Sequence, residues 1–313
     1  MSQIGFSLTH SGTMPNPFSY VEETGTFGVM DTSPTLTATK ITSDIRPKID
    51  NNEIDVRQVG SHLLYGMQSA GHTFGLGLTL NPFDLPFLKY GTEPPNYTTP
   101  QGTSARSLSF ALRYKQATGT ASMTDHYIKF LGFKPNTTEL SVSSQGLAEA
   151  SMELVGREIT KPDTTAISGA TWPTFGSITA PALSNVDGGN KPLRIDGVNY
   201  ACKDFRISWN NNLISDQFSG SGKIDALTVG AIEVTGSFNT PTGQDILLDT
   251  AITDFPQDLM PFSYVVKTGT MVVNGVMKLI SDAPEGFSAG PTATNQHAYN
   301  FKCTTAGLGT AIV

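Results

Sequence analysis

This sequence carries little charge. Asp, Glu, Lys and Arg make up 15% of its 313 residues, against about a quarter in an ordinary soluble chain. Such a surface is either rich in Ser, Thr and Asn or covered by further copies of the same subunit. A basic run is missing too. The formal net charge is −7, with 12 basic and 15 acidic residues over 1–165 and 8 and 12 over 166–313. Tight clamping of nucleic-acid phosphates needs clustered cations and is not expected; contact with DNA that slides freely stays open. The two cysteines, Cys202 and Cys303, form no CxxC motif. They do not suggest a disulfide-built secreted scaffold and read as small buried hydrophobes. No stretch approaches the roughly 18 apolar residues of a membrane-spanning helix. The opening MSQIGFSLTHSG has neither the basic start nor the apolar run of a secretory signal, so the expectation is a protein made and kept in cytoplasm.

Catalytic signatures are missing as well. His10, His62, His72, His126 and His297 show no HxxH, HExxH or HxH spacing. The segment QFSGSGKI begins with Gln217 where a phosphate loop has its first glycine, and Ile224 replaces the magnesium-binding hydroxyl. Its glycines read as loop flexibility. No GxSxG elbow is present. Glycosylation sequons at Asn96 and Asn136 mean little without a secretory signal. Neither an enzyme nor a metal or cofactor site is expected.

What the chain does have is a repeat. SDIRPKIDNNEIDVRQVGS (43–61) reads against KDFRISWNNNLISDQFSGS (203–221), matching Asp44 with Asp204, Arg46 with Arg206, Asn51 and Asn52 with Asn211 and Asn212, and Gly60 and Ser61 with Gly220 and Ser221. All share one offset, 206 − 46 = 160. After a one-residue slip, GHTFGLGLTLNP (71–82) runs beside GAIEVTGSFNTP (230–241). Two similar domains in one chain suggest a pseudo-symmetric building block. The expected division is an arm over 1–33, a first domain over 34–165 and a second over 166–313, with a Thr-, Pro- and Gly-rich linker at about 160–181.

Most of the pattern has period two. Phe74, Leu76, Leu78 and Leu80 alternate with small residues; Leu140 and Val142 alternate with Glu139, Ser141 and Ser143; Ala148, Ala150, Met152 and Leu154 alternate with Glu149, Ser151 and Glu153. In the second half Phe205, Ile207 and Trp209 share a face, and Ile232, Val234 and Phe238 oppose Glu233, Thr235 and Ser237. These are half-buried antiparallel strands, and Ser143–Gly146 supplies a turn between two of them. The best helix is DLPFLKYG, with Asp84 as N-cap, Pro86 in the first turn and Gly91 as stop; its counterpart is GQDILLDTAI (243–252). The expected fold is mainly β: two similar β-sandwich or partial-barrel domains, each with one short helix.

Two segments are long for turns, about 51–71 and 211–230. They carry Leu63, Leu64 and Tyr65 in the first, and Ile224 and Leu227 in the second. Each is either a hairpin folded over its own core or a loop that packs on another subunit, since exposed apolar groups mark interfaces.

The chain resembles the tail tube proteins of long-tailed (siphovirus-like) bacterial and archaeal viruses. The resemblance is carried by SYVEETGTFGV (19–29), TSDIRPKIDNNEI, GHTFGLGLTLNPFDLPFLKYG and above all KFLGFKPNTTELSVSSQGLAEASMELVGREI (129–159), a glycine-aromatic turn, an alternating strand, a second turn and a strand ending Val-Gly-Arg. It implies stacked rings with a continuous inner β-barrel, through which DNA leaves the capsid, and no catalytic residues. A member with two tube domains would close its ring with three chains instead of six. The implied partners are copies of the chain itself, other tail proteins at the tube ends, and double-stranded DNA passing without tight binding; the implied place is the virion tail. Leu63, Leu64, Tyr65, Ile224 and Leu227 are then candidates for contact between rings. Glu149, Glu153, Glu233, Thr235 and Ser237 are candidates for the channel wall, although alternation fixes which residues share a face and not which way that face points. The competing readings are another ring-forming tail part, such as a hub or terminator, and a two-domain carbohydrate-binding or other surface-binding module. The latter would need an exposed aromatic platform, and Trp209 lies on an apolar face.

Overall fold

The computed structural model describes residues 18–57, 64–92, 107–117, 123–143, 148–173, 191–216, 223–241, 259–267, 271–284 and 296–310. In chain order the first half holds β1 (Phe18–Glu22), β2 (Thr37–Ala38), β3 (Ile41–Arg57), β4 (Leu64–Leu80), α1 (Leu85–Thr92), β5 (Leu108–Ala117), β6 (Met123–Val142), β7 (Ala148–Gly156) and β8 (Glu158–Ile159). The second holds β9 (Leu193–Ile195), β10 (Val198–Tyr200), β11 (Asp204–Asn210), β12 (Ile214–Asp216), β13 (Ala226–Thr228), β14 (Glu233–Pro241), β15 (Met260–Lys267), β16 (Met271–Pro284) and β17 (Gln296–Gly309). The fold is mainly β, with antiparallel sheets throughout its named strands. Alternation decides the faces. In β7, Ala148, Ala150, Met152 and Leu154 are buried while Glu149, Ser151 and Glu153 are exposed, as period two requires.

The strand order occurs twice. From β3 it runs β3–β4–β7–β6–β5–β1–β2, and from β11 it runs β11–β14–β17–β16–β15–β9–β10. Register repeats with it. Arg46 faces Gly77 and Arg206 faces Ser237, so both strands of the pair are displaced equally, 206 − 46 being the same as 237 − 77. The one-residue slip read between 71–82 and 230–241 is therefore absent. A slip would have exchanged the two faces; instead the buried Leu76 and Leu78 stand where the second half has Gly236 and the buried Phe238. The repeated asparagine pairs mark a bulge. Register shifts between Asn51 and Glu53, and at the same place in the second half Asn212 takes φ 44° between β11 and β12. Asparagine tolerates this left-handed backbone better than most residues.

The halves join through β6. One edge of this strand pairs with β7 and β8. The other pairs first with β5, from Met123 to Phe133, and then with β11, from Asn210↔Thr137 to Phe205↔Val142. One apolar cluster runs through both halves, from Phe18 and Phe110 to Phe205, Phe262 and Phe301. Trp209 is 1% exposed, and its Nε1 donates to the Ala306 carbonyl at 3.0 Å. Cys202 and Cys303 are free; burial pushes both thiols up to about 12.

Several expectations need correction. Phe18–Glu22 is not part of an arm: it pairs with both β2 and β5, and Phe18 and Tyr20 are buried. Residues 1–17 lie outside the described residues. The first part of the linker segment is attached to the sheet, for Asp163 and Tyr127 exchange backbone hydrogen bonds and Ile167 is buried with Leu36, Ala111 and Tyr127. Asp84 does cap α1, its carbonyl accepting from Phe87 and Leu88, and burial raises its carboxyl above the usual range. Gly91, however, is inside the helix. Its reason is close packing: a Cβ there would collide with Thr138 Oγ1. The counterpart helix at 243–252 and the turn at 144–147 lie outside the described residues, although the turn's hairpin is present, with Val142 facing Ala148.

Candidate functional site

Glu149, Glu153, Glu233, Thr235 and Ser237 share one face of one continuous sheet. Register carries the face from strand to strand: Glu149 opposes Ser141 on β6, Ser141 opposes Arg206 on β11, and Arg206 opposes Ser237 on β14. Opposite it, Leu140, Ile207, Trp209 and Phe238 fill the core. The polar face is nearly balanced in charge. Arg206 Nη2 lies 2.6 Å from Glu139 Oε2 across the β6–β11 junction, Lys302 Nζ lies 2.5 Å from Glu233 Oε1, and Lys48 Nζ lies 2.8 Å from Asp50 Oδ2. Such exposed pairs add little to stability, because solvent screens them. Their consequence is electrostatic: the face offers phosphates no concentrated positive field.

The segment 51–71 forms much of a hairpin. β3 and β4 pair from Ile41↔Leu80 out to Arg57↔Leu64, but β7 covers β4 only from Phe74 to Leu80. Beyond Phe74 the hairpin continues for about ten residues as two strands, roughly 30 Å at about 3.3 Å per residue. Leu64 and Tyr65 begin β4 at its far end; Leu63 lies outside the described residues. Ile224 and Leu227 are different. They are 0% and 3% exposed within the single chain, and the Leu227 carbonyl accepts from buried Lys134 Nζ at 2.6 Å. Exposure in a lone domain was the motive for placing both at a contact between rings, and their burial removes it.

A second cluster joins three of the quoted motifs. Glu23 Oε2 accepts from Gly28 N at 2.8 Å and Ser107 Oγ at 2.6 Å, while Oε1 accepts from Gly132 N at 2.9 Å and from Ser109 Oγ. Arg157 Nη1 donates to the Phe27 carbonyl at 2.7 Å. Gly28 and Gly132 take φ 72° and 67°, and a Cβ on Gly156 would collide with the Phe133 ring. Both Glu23 oxygens are taken by these donors, and together with the Arg157 contact they lock a loop onto the sheet.

A family model described as phage tail tube protein matches residues 16–302. The chain belongs to this family. No curated protein matches it. The tube subunit is accordingly a structural component of the virion tail, in a family that is generally non-enzymatic. Among the described residues, no His, Cys, Asp and Glu cluster could hold a metal ion, and no helix is long and apolar enough to cross a membrane. Sequence reasoning missed the balancing cations Arg206 and Lys302, because cross-strand partners become visible only with register. It quoted the Glu-Thr-Gly, Gly-Phe and Val-Gly-Arg motifs without seeing that they meet in the tube subunit.

Proposed function

We propose that three tube subunits close one ring, that the polar sheet face lines its channel, and that double-stranded DNA passes along this wall without being gripped. The doubled strand order carries the reading, since a chain with two equivalent halves fills two positions of a pseudo-sixfold ring. Each chain presents an eight-strand run, β3–β4–β7–β6–β11–β14–β17–β16. Eight strands closed alone leave room only for side chains, and sixteen to eighteen leave an aqueous channel. Three chains give twenty-four, as 3 × 8, and a wider opening. The balanced face suits passage, because DNA carries roughly one negative charge per 1.7 Å of axis and a wall of free cations would hold it.

On this reading the β3–β4 hairpin, with Leu63, Leu64 and Tyr65 at its far end, contacts another subunit. The chain itself performs no catalysis, and its remaining partners are the tail proteins at the two ends of the tube, assembled in the host cytoplasm. A ring-resolved electron microscopy reconstruction, with native mass spectrometry of single rings, tests the proposal. Three chains per ring and a lumen lined by Glu149, Glu153, Glu233, Thr235 and Ser237 are expected. Six whole chains, or those residues on the outer surface, would overturn it.

A further inference from the structure

We infer that the free edge of β3 in one copy pairs antiparallel with the free edge of β16 in the next, with Lys48 opposite Ala283, Ile49 opposite Asp282 and Asp50 opposite Ser281. The inference rests on the ring reading and specifies the contact that closes the ring.

The template lies inside the chain. There β11 takes the part of the β6 edge that β5 leaves beyond Phe133. β3 is the counterpart of β11 at the offset of the repeat, Arg46 standing for Arg206. β16 is the counterpart of β6 at a shorter offset, 279 − 135 = 144: Leu154 on β7 opposes Pro135, and its counterpart Phe301 on β17 opposes Leu279. Both strands then carry a bulge at the next residue, Asn136 in one and Ile280 in the other. Among the described residues β3 pairs with β4 alone, and β15 covers β16 only from Met271 to Met277. The two edges are thus the same two that meet at the β6–β11 junction. Carrying the register of Trp209↔Thr138 across by these two offsets, 209 − 160 and 138 + 144, gives Ile49↔Asp282.

Side-chain exposure supports the assignment independently. Ile49 is 56% exposed and Ile280 is 62% exposed, apolar groups that a lone chain gains nothing by displaying. Their counterparts already sit in a junction. Trp209 is buried. The Asn136 carbonyl accepts from Asn211 N at 2.7 Å, and its Oδ1 accepts from Leu213 N at 3.0 Å. The inferred contact gives Ile280 the equivalent place, beside Asn51. Pro47 and Pro284 face each other in this register and supply no N–H, so residues 48–51 and 280–283 carry the ladder. An edge proline also discourages stray strand addition. Pairing of β3 with β16 of its own chain would close an eight-strand barrel with the charged face inside, where side chains must fill the space.

Cysteine cross-linking tests the register. Directly opposed side chains on paired strands stand about 5 Å apart, within reach of a disulfide; native Cys303 is buried and Cys202 half-buried, so the parent protein oxidised alongside is the control. Tubes of the double variant Lys48→Cys, Ala283→Cys should, on oxidation, give a covalent three-chain product on denaturing gels. The pair Lys48→Cys, Asp282→Cys points to opposite faces and should stay monomeric. Three-chain rings with no cross-link, or equal cross-linking of both pairs, would overturn the register and leave the ring reading standing. Cross-linking in a ring of six chains would support the pairing while the three-chain reading fails. Hydrogen exchange on the unsubstituted protein covers the case of a double variant that does not assemble. The amides of 49, 51, 280 and 282 should slow at least tenfold between subunit and tube, and unchanged exchange would overturn the pairing.

Discussion

Replacing Glu23 with alanine should destabilise the isolated subunit by about 3 kcal/mol. The carboxylate accepts four hydrogen bonds, two from the hydroxyls of Ser107 and Ser109 and two from the N–H groups of Gly28 and Gly132. The hydroxyls can rotate toward other acceptors. The glycine amides cannot, because each is fixed in a left-handed backbone and hemmed in by Arg157. A buried donor left without a partner costs about 1–3 kcal/mol, so two of them give about 3 kcal/mol. That is a large part of a typical stability of about 5–15 kcal/mol. Urea denaturation of unassembled subunits measures it as a lower midpoint with unchanged slope. Glu23→Gln should fall between the alanine variant and the parent, since one oxygen is kept while the amide turns a donor toward Gly28 N–H. An alanine variant within about 0.5 kcal/mol of the parent, the ordinary range of surface changes, would refute the idea that the cluster locks the loop.

Lys134 is held down to about 8 by burial, partly countered by Glu23. The unfolded chain therefore binds this proton more tightly between about pH 8 and 10.5, so the subunit gains stability as pH rises through that window. Measured against Lys134→Met, the gain should reach at most about 3 kcal/mol, at about 1.4 kcal/mol per pH unit; parallel curves would remove the assignment. Leu227→Asp should unfold the subunit, because it places an unpaired charge at a buried site, whereas Leu64→Asp should leave it folded and block tube formation. Equal stability of the two variants by thermal melting would contradict the difference in their placement. Glu149→Lys with Glu153→Lys should permit tubes but slow DNA ejection, most strongly at low salt. Ejection at the parental rate would argue against the face being the channel wall.

Strand faces were legible because one buried side forces period two, and β7 shows it residue for residue. The offset of the repeat was legible for the same reason that it was misread locally: glycines in both segments allow two alignments, and only pairing register distinguishes them. The two long segments were legible only as either a hairpin or a protruding loop, because β3 and β4 continue past the strand that covers them. Beyond Phe74, among the described residues, β4 has β3 alone beside it, and the sequence there loses its strand signature. Gly91 was read as a helix stop from its position near the end of DLPFLKYG. Its cause was non-local, the Thr138 side chain on another strand, which no local pattern contains. The same holds for Glu23: its four donors come from Gly28, Ser107, Ser109 and Gly132, so the carboxylate's role is spread over distant parts of the chain.

The second half of the chain shows how the first can be completed. β12 and β13 stand at the offset of the repeat from the distal part of the β3–β4 hairpin, with Ile214↔Thr228 repeating Ile54↔Gln68. That short hairpin lies against the first half of its own chain, held by Lys134 at the Leu227 carbonyl and by Lys223 at Glu158, 2.7 Å apart. In the proposed ring, the longer hairpin has the next subunit as its corresponding support. Lys278, exposed in the single chain, there occupies the place that Lys134 holds within it. The same displacement that pairs β3 with β16 thus also seats the hairpin, so one contact accounts for both features. It accounts as well for the low charge of the chain: a surface that repeats an interior junction needs the composition of that junction, with few charges and those arranged in pairs.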